Sequence, residues 1–143
     1  INDAEEALYM SVWEEDAERF ANAIRNAISR GVDVVLFSFT RVPEFACPTL
    51  SYGIDSAELQ NHWPKRITVL ADRTQLFTGD RAGAQEDSAT YSEEPSLREM
   101  ALANLVLDVT LFGQRQGQDV SPIVTRLTPP LAPIDELVKT EKE

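Results

Sequence analysis

The sequence predicts an α/β domain in three layers, a mixed sheet that begins with a βαβ unit and carries helices on both faces. Three observations lead there. An apolar run, an amphipathic run and a second apolar run follow one another between Ala7 and Thr40. The second apolar run lacks polar alternation, as expected of a strand covered on both sides. Further on come a strand–turn–strand signature and a long, almost wholly apolar helical segment.

Taken in order, Ala7 to Trp13 (ALYMSVW) is a β-compatible apolar strand. Glu14, Glu15 and Asp16 follow it, three acids suited to the positive end of a helix dipole. Ala17, Phe20, Ala21, Ile24, Ala27 and Ile28 recur at helical spacing and give one helix a single apolar face. Gly31 fits the left-handed position that stops it. Val32 to Thr40 is the second strand, so the two strands should run parallel through a crossover.

From Arg41 to Pro64, Pro43, Pro48, Gly53 and Pro64 break regularity, and one short strand near Leu50 to Ile54 is expected. Arg66 to Ala71 and Gln75 to Gly79 form a hairpin around Asp72-Arg73-Thr74. Gly83 to Ser88 reads as a polar loop and Ala89 to Tyr91 as a short strand. Ser92-Glu93-Glu94-Pro95 is a helix start. The helix is apolar nearly all round after Met100, which marks it as buried or covered by a dimer partner, and Gly113 is expected to end it. Residues 1–113 are therefore read as the domain and 114–143 as a polar, Pro-containing tail, with a charged segment from Asp135 to Glu143. Whether the tail packs on the domain is left open by the sequence.

Composition narrows the function. The length, 143 residues, suits one domain with a sizeable core. A net charge of −11 with no basic cluster repels phosphate backbones, so no direct nucleic-acid contact by this domain is expected. No apolar run approaches the eighteen residues of a membrane span, and the acidic start does not resemble a secretory leader. The chain opens without Met on what reads as a helix end running into a strand, as a piece of a longer protein would. A single cysteine fits a reducing, cytoplasmic setting.

Catalytic constellations are hard to assemble from these residues. One histidine (His62, in a loop) and one cysteine (Cys47, beside Pro48) leave no zinc set, no CxxC and no triad with a nucleophile elbow. Without GxGxxG or Walker-A strings no nucleotide cofactor is expected, and Gly79-Asp80-Arg81-Ala82-Gly83 reads as a turn. The polar residues out of place for packing alone are Ser11 and Trp13 at the end of the first strand, and Ser38 and Thr40 at the end of the second. The carboxyl ends of parallel strands are where open α/β sheets bind ligands. Hydroxyls beside an indole would suit a polyol or another small polar molecule.

Three stretches resemble one family: Asp3 to Glu15 with the following helix and Arg30-Gly31-Val32-Asp33-Val34; Val69 to Asp80 (VLADRTQLFTGD); and the helix ending Leu107 to Leu111. Together they resemble the C-terminal, phospholipase-D-like domain of TrmB-type transcriptional regulators, over roughly residues 1 to 113. The resemblance implies an N-terminal winged helix-turn-helix elsewhere that binds DNA. It also implies a domain here that forms a homodimer and senses small-molecule effectors, often sugars. Active phospholipase-D-like enzymes carry His-x-Lys-x4-Asp. Aligning Asp72 with that aspartate puts Lys65 at the nucleophile position and Ile67 at the phosphate-binding position, with His62 three residues early. The resemblance thus implies a non-enzymatic effector domain; its candidate ligand residues are Ser11, Trp13, Ser38 and Thr40, from their strand-end positions, and Asp72, from the motif alignment. Asp72 is also expected to bond its own turn. The alternatives are a degenerate phospholipase-D-like hydrolase or nuclease using His62, and a purely structural dimerisation module.

Overall fold

The computed structural model describes residues 1–81 and 88–128; the expected loop at Gly83 to Ser88 lies largely outside them, and the segment from Asp135 to Glu143 wholly so. Six strands form one sheet: β1 (Ala7–Ser11), β2 (Asp33–Thr40), β3 (Thr49–Ile54), β4 (Lys65–Ala71), β5 (Gln75–Arg81) and β6 (Ser88–Ser92). Their spatial order is β3-β2-β1-β4-β5-β6. β1, β2 and β3 are mutually parallel, while β4 runs antiparallel to β1 and begins an antiparallel meander through β5 to β6. The sheet is mixed, as expected.

Side chains alternate between faces along each strand, so one register assigns every residue to a layer. Leu8, Met10, Val34, Leu36, Val69 and Ala71 pack against Ala17 of α1 (Glu14–Arg19) and Ile24 and Ala27 of α2 (Ala21–Ser29). Ala7, Tyr9, Val35, Phe37, Leu70 and Leu76 pack on the other side against Leu105, Val109 and Phe112 of α4 (Pro95–Gln116). α3 (Ser56–Leu59) is a single turn before β4, its first N–H groups capped by the Asp55 carboxylate.

Four boundaries differ from expectation. Gly79, Asp80 and Arg81, read from the sequence as part of a turn, continue β5 and pair with Ile67, Arg66 and Lys65 of β4. The first helix is two: the chain bends at Phe20 (φ −98°, ψ 8°), which lets α2 lie flat on the sheet and bury Ile24 and Ala27. The long helix does not stop at Gly113. That glycine is buried inside α4, where a Cβ would lie 2.7 Å from Val120 Cγ2 and 2.9 Å from the Gln118 carbonyl. Gly117, at φ 63°, takes the left-handed stop instead. Beyond it, α5 (Ser121–Leu127) folds back and buries Val120 and Leu127 in the α4-side core.

Candidate functional site

A cleft of about 340 Å³ opens on the α4 side, at the carboxyl ends of the parallel strands. Its sheet wall is Ser11 of β1, Phe39 of β2, and Arg66 and Thr68 of β4; Trp13 and Trp63 flank it. α4 supplies the facing wall with Asn104, Asp108, Leu111 and Arg115. Phe39 is stacked between Tyr52 and Trp63, with centroid separations of 5.6 and 6.2 Å. Trp63 is 62% exposed, so an apolar plate stands open at the mouth. Polar groups converge opposite it: Asn104 Nδ2 donates to Asp108 Oδ2 at 3.4 Å, and Arg115 Nη1 to the Tyr52 hydroxyl at 3.3 Å. Burial raises the Asp108 carboxyl above the usual range, only partly offset by the Arg115 charge. Rigid aromatic plates with a few fixed donors and acceptors are the ingredients of a small-molecule site.

Of the five residues expected to bind ligand, the structure brings two to this cleft. Ser11 and Trp13 line it. Ser38 and Thr40 do not, and the register explains why: Ser11 pairs with Phe37 on the α4 face, so Ser38 and Thr40 point to the α1–α2 face. Both are buried with their hydroxyls engaged. Ser38 Oγ lies 3.0 Å from Thr40 Oγ1, which accepts the Glu14 N–H at 2.8 Å and so caps α1. Asp72 sits at the other end of the sheet, beside the start of β1, and takes no part in the cleft. Nor does it bond its own turn. Its carboxylate accepts the N–H groups of Glu5 (3.0 Å), Glu6 (2.7 Å) and Ala7 (3.0 Å), from the left-handed backbone at φ 54°. Burial opposes its ionisation, but those three donors outweigh it and hold the carboxyl below the usual range.

The cleft's α4 wall was missed by sequence reasoning, although Asn104 and Asp108 are polar interruptions in an otherwise apolar helix.

The positions aligned with the phospholipase-D motif lie on the opposite face. Lys65 Nζ pairs with Glu15 Oε1 at 3.4 Å and sits 5.8 Å above the Trp13 ring. Glu15 Oε1 also accepts the Ser56 hydroxyl at 2.6 Å, while Oε2 is buried without a partner among the described residues. Burial disfavours the Glu15 carboxylate, yet the bonds from Ser56, from its own backbone N–H and from Lys65 keep its carboxyl below the usual range. Ile67 packs against the α1–α2 core. His62 is exposed in the turn after α3, its backbone N–H donating to the Leu59 carbonyl. Cys47 is half-buried and its thiol is pushed up by burial, the reverse of nucleophile activation. Among the described residues no group of three metal-ligating side chains occurs, and no helix is long and apolar enough to cross a membrane.

No family model matches the chain. No curated protein matches it either. Among solved structures, it is similar to a phospholipase D family member, Nuc from Salmonella typhimurium, with a TM-score of 0.51 and 18% identity over 75% of this chain and 80% of that one. At that identity the likeness is one of fold: the chain has a phospholipase-D-like α/β architecture.

Proposed function

We propose that this chain is a non-catalytic, effector-sensing and self-associating domain of a TrmB-type transcriptional regulator, whose DNA-binding winged helix lies outside residues 1–143. One observation carries the non-catalytic part. Where an active phospholipase-D-like enzyme needs a nucleophilic His and a phosphate-binding Lys, this chain has Lys65, engaged by Glu15, and Ile67, packed into the core. Neither can open a phosphodiester by that route, and His62 is an exposed turn residue with no acid or base bonded to its ring among the described residues. The cleft of Ser11, Trp13, Trp63, Asn104, Asp108 and Arg115 supports the sensing part, because it presents hydrogen-bonding groups opposite an aromatic plate on a small scale. A ligand there acts on the regulator by favouring one of two arrangements of the domain and its partner.

The test is hydrolysis of bis(p-nitrophenyl) phosphate by the purified chain, alone and with divalent metals. The expected rate is that of buffer, unchanged in His62→Ala and Lys65→Ala. A rate above buffer that His62→Ala removes overturns the reading in favour of a hydrolase.

A further inference from the structure

The outer face of α4 carries four apolar side chains in solvent: Leu97 (42% exposed), Met100 (68%), Leu107 (61%) and Leu111 (41%). With Asn104 they step along the helix by three, four, three and four residues, the spacing of a helix–helix seam. The buried face of the same helix, Leu105, Val109 and Phe112, is fully used by the core. We propose that a second copy of this chain docks on this stripe, helix against helix and antiparallel, with Asn104 on the two-fold axis. The proposal rests on the self-association half of the reading above and assigns it a surface.

The stripe is self-complementary in one direction. Antiparallel pairing that overlaps its whole length sets Leu97 opposite Leu111 and Met100 opposite Leu107, and leaves Asn104 facing its own copy. An amide can donate to and accept from itself across a two-fold axis, and a lone Asn in an apolar seam is a device that fixes register. Charge selects the same direction. The amino end of α4 carries Glu93, Glu94 and Glu99 against one cation, Arg98, whose guanidinium is taken up by the Glu93 and Arg73 carbonyls. That end is therefore net acidic, and the carboxyl end holds Arg115. A parallel pair would stack acid on acid, whereas an antiparallel pair brings the acids of one copy beside Arg115 of the other and opposes the helix dipoles.

The stripe also explains how sensing and association communicate. Asn104 and Leu111 belong to the seam and to the cleft wall, and Asp108 and Arg115, which also line the cleft, stand beside the seam. A ligand that turns these side chains changes the surface the second copy sees, and association changes ligand affinity by the same factor.

Site-specific cross-linking of the full chain tests this. In a Cys47→Ser background, Asn104→Cys should form a disulfide with its own copy under mild oxidation, as should the pair Leu97→Cys with Leu111→Cys. Glu18→Cys, on the exposed side of α1, should not. In sedimentation, the dimer should dissociate at least about tenfold more readily in Leu107→Glu, whose side chain stands in solvent in the single copy and so leaves the fold intact. A wild-type chain that stays monomeric at about 100 µM overturns this proposal and the self-association reading together. A dimer whose Asn104→Cys variant does not cross-link, and which Leu107→Glu leaves intact, overturns only the α4 surface.

Discussion

Replacing Asp72 by Ala should be the costliest single change at the surface of this domain. The carboxylate gathers three backbone N–H groups from the segment entering β1, of Glu5, Glu6 and Ala7, at 2.7 to 3.0 Å, and the Asp72 N–H returns a bond to the Ala7 carbonyl. Hydrogen bonds to a charged group contribute about 1.5–3 kcal/mol each when nothing replaces them. Water can serve Glu5 and Glu6, which are exposed, so the loss concentrates at Ala7, which is buried. That gives about 2 kcal/mol for the clamp, and a further ~1 kcal/mol for placing Ala at φ 54°. Asp72→Gly relieves the backbone and should recover only the smaller part, while Asp72→Asn keeps one acceptor oxygen and should cost about 1 kcal/mol. Urea denaturation at pH 7 measures all three, with the order Ala, Gly, Asn from most to least destabilised. The folded carboxyl lies below its ordinary value, so its contribution is complete above about pH 4 and disappears as pH falls through the folded value. Asp72→Asn should therefore flatten the acid limb of the stability curve. If Asp72→Ala lies within about 0.5 kcal/mol of wild type, the clamp is not stabilising and the reasoning fails.

Three further outcomes follow from other parts of the structure. Gly113→Ala should lose about 1–3 kcal/mol because its methyl would meet Val120 and the Gln118 carbonyl at under 3 Å, whereas Gly117→Ala should lose only ~1 kcal/mol, read as a melting-temperature difference between the two. Asp108→Asn should stabilise the chain at pH 7, since burial raises that carboxyl, and the gain should vanish as pH falls below the ordinary aspartate value, where Asp108 is protonated in both states. Ser56→Ala should weaken the Glu15–Lys65 cluster and raise the Glu15 titration midpoint seen by NMR, because one of the bonds that lowers it is gone.

The fold was legible because β1, β2 and the helices between them write their periods plainly: a run without polar alternation for a doubly covered strand, and a 3.6-residue apolar face on α2. Phe20 hid the break between α1 and α2, since it continues the apolar period while its backbone leaves the helix. Gly113 and Gly117 are both glycines near the end of α4, and only three-dimensional packing distinguishes one needed for a missing Cβ from one needed for a positive φ. The site was half legible for a similar reason. The rule that ligands gather at the carboxyl ends of parallel strands found Ser11 and Trp13. It could not say that Ser38 and Thr40 face the other way, because facing depends on the β1–β2 register. Nor could it say that Asn104 and Asp108 arrive across the cleft, because that depends on how α4 crosses the sheet.

The proposed role requires the cleft to hold a small polar ligand without altering it. Thermal denaturation against a panel of sugars, polyols and sugar phosphates, for the wild-type chain and for Asn104→Ala with Asp108→Ala, tests that most directly. A true ligand at 100 times its Kd adds about 2.7 kcal/mol and should raise the wild-type melting temperature by several degrees, with no shift in the double variant and the ligand recovered unchanged. No shift with any member of the panel, a shift that the double variant retains, or recovery of a cleaved product would each contradict the account.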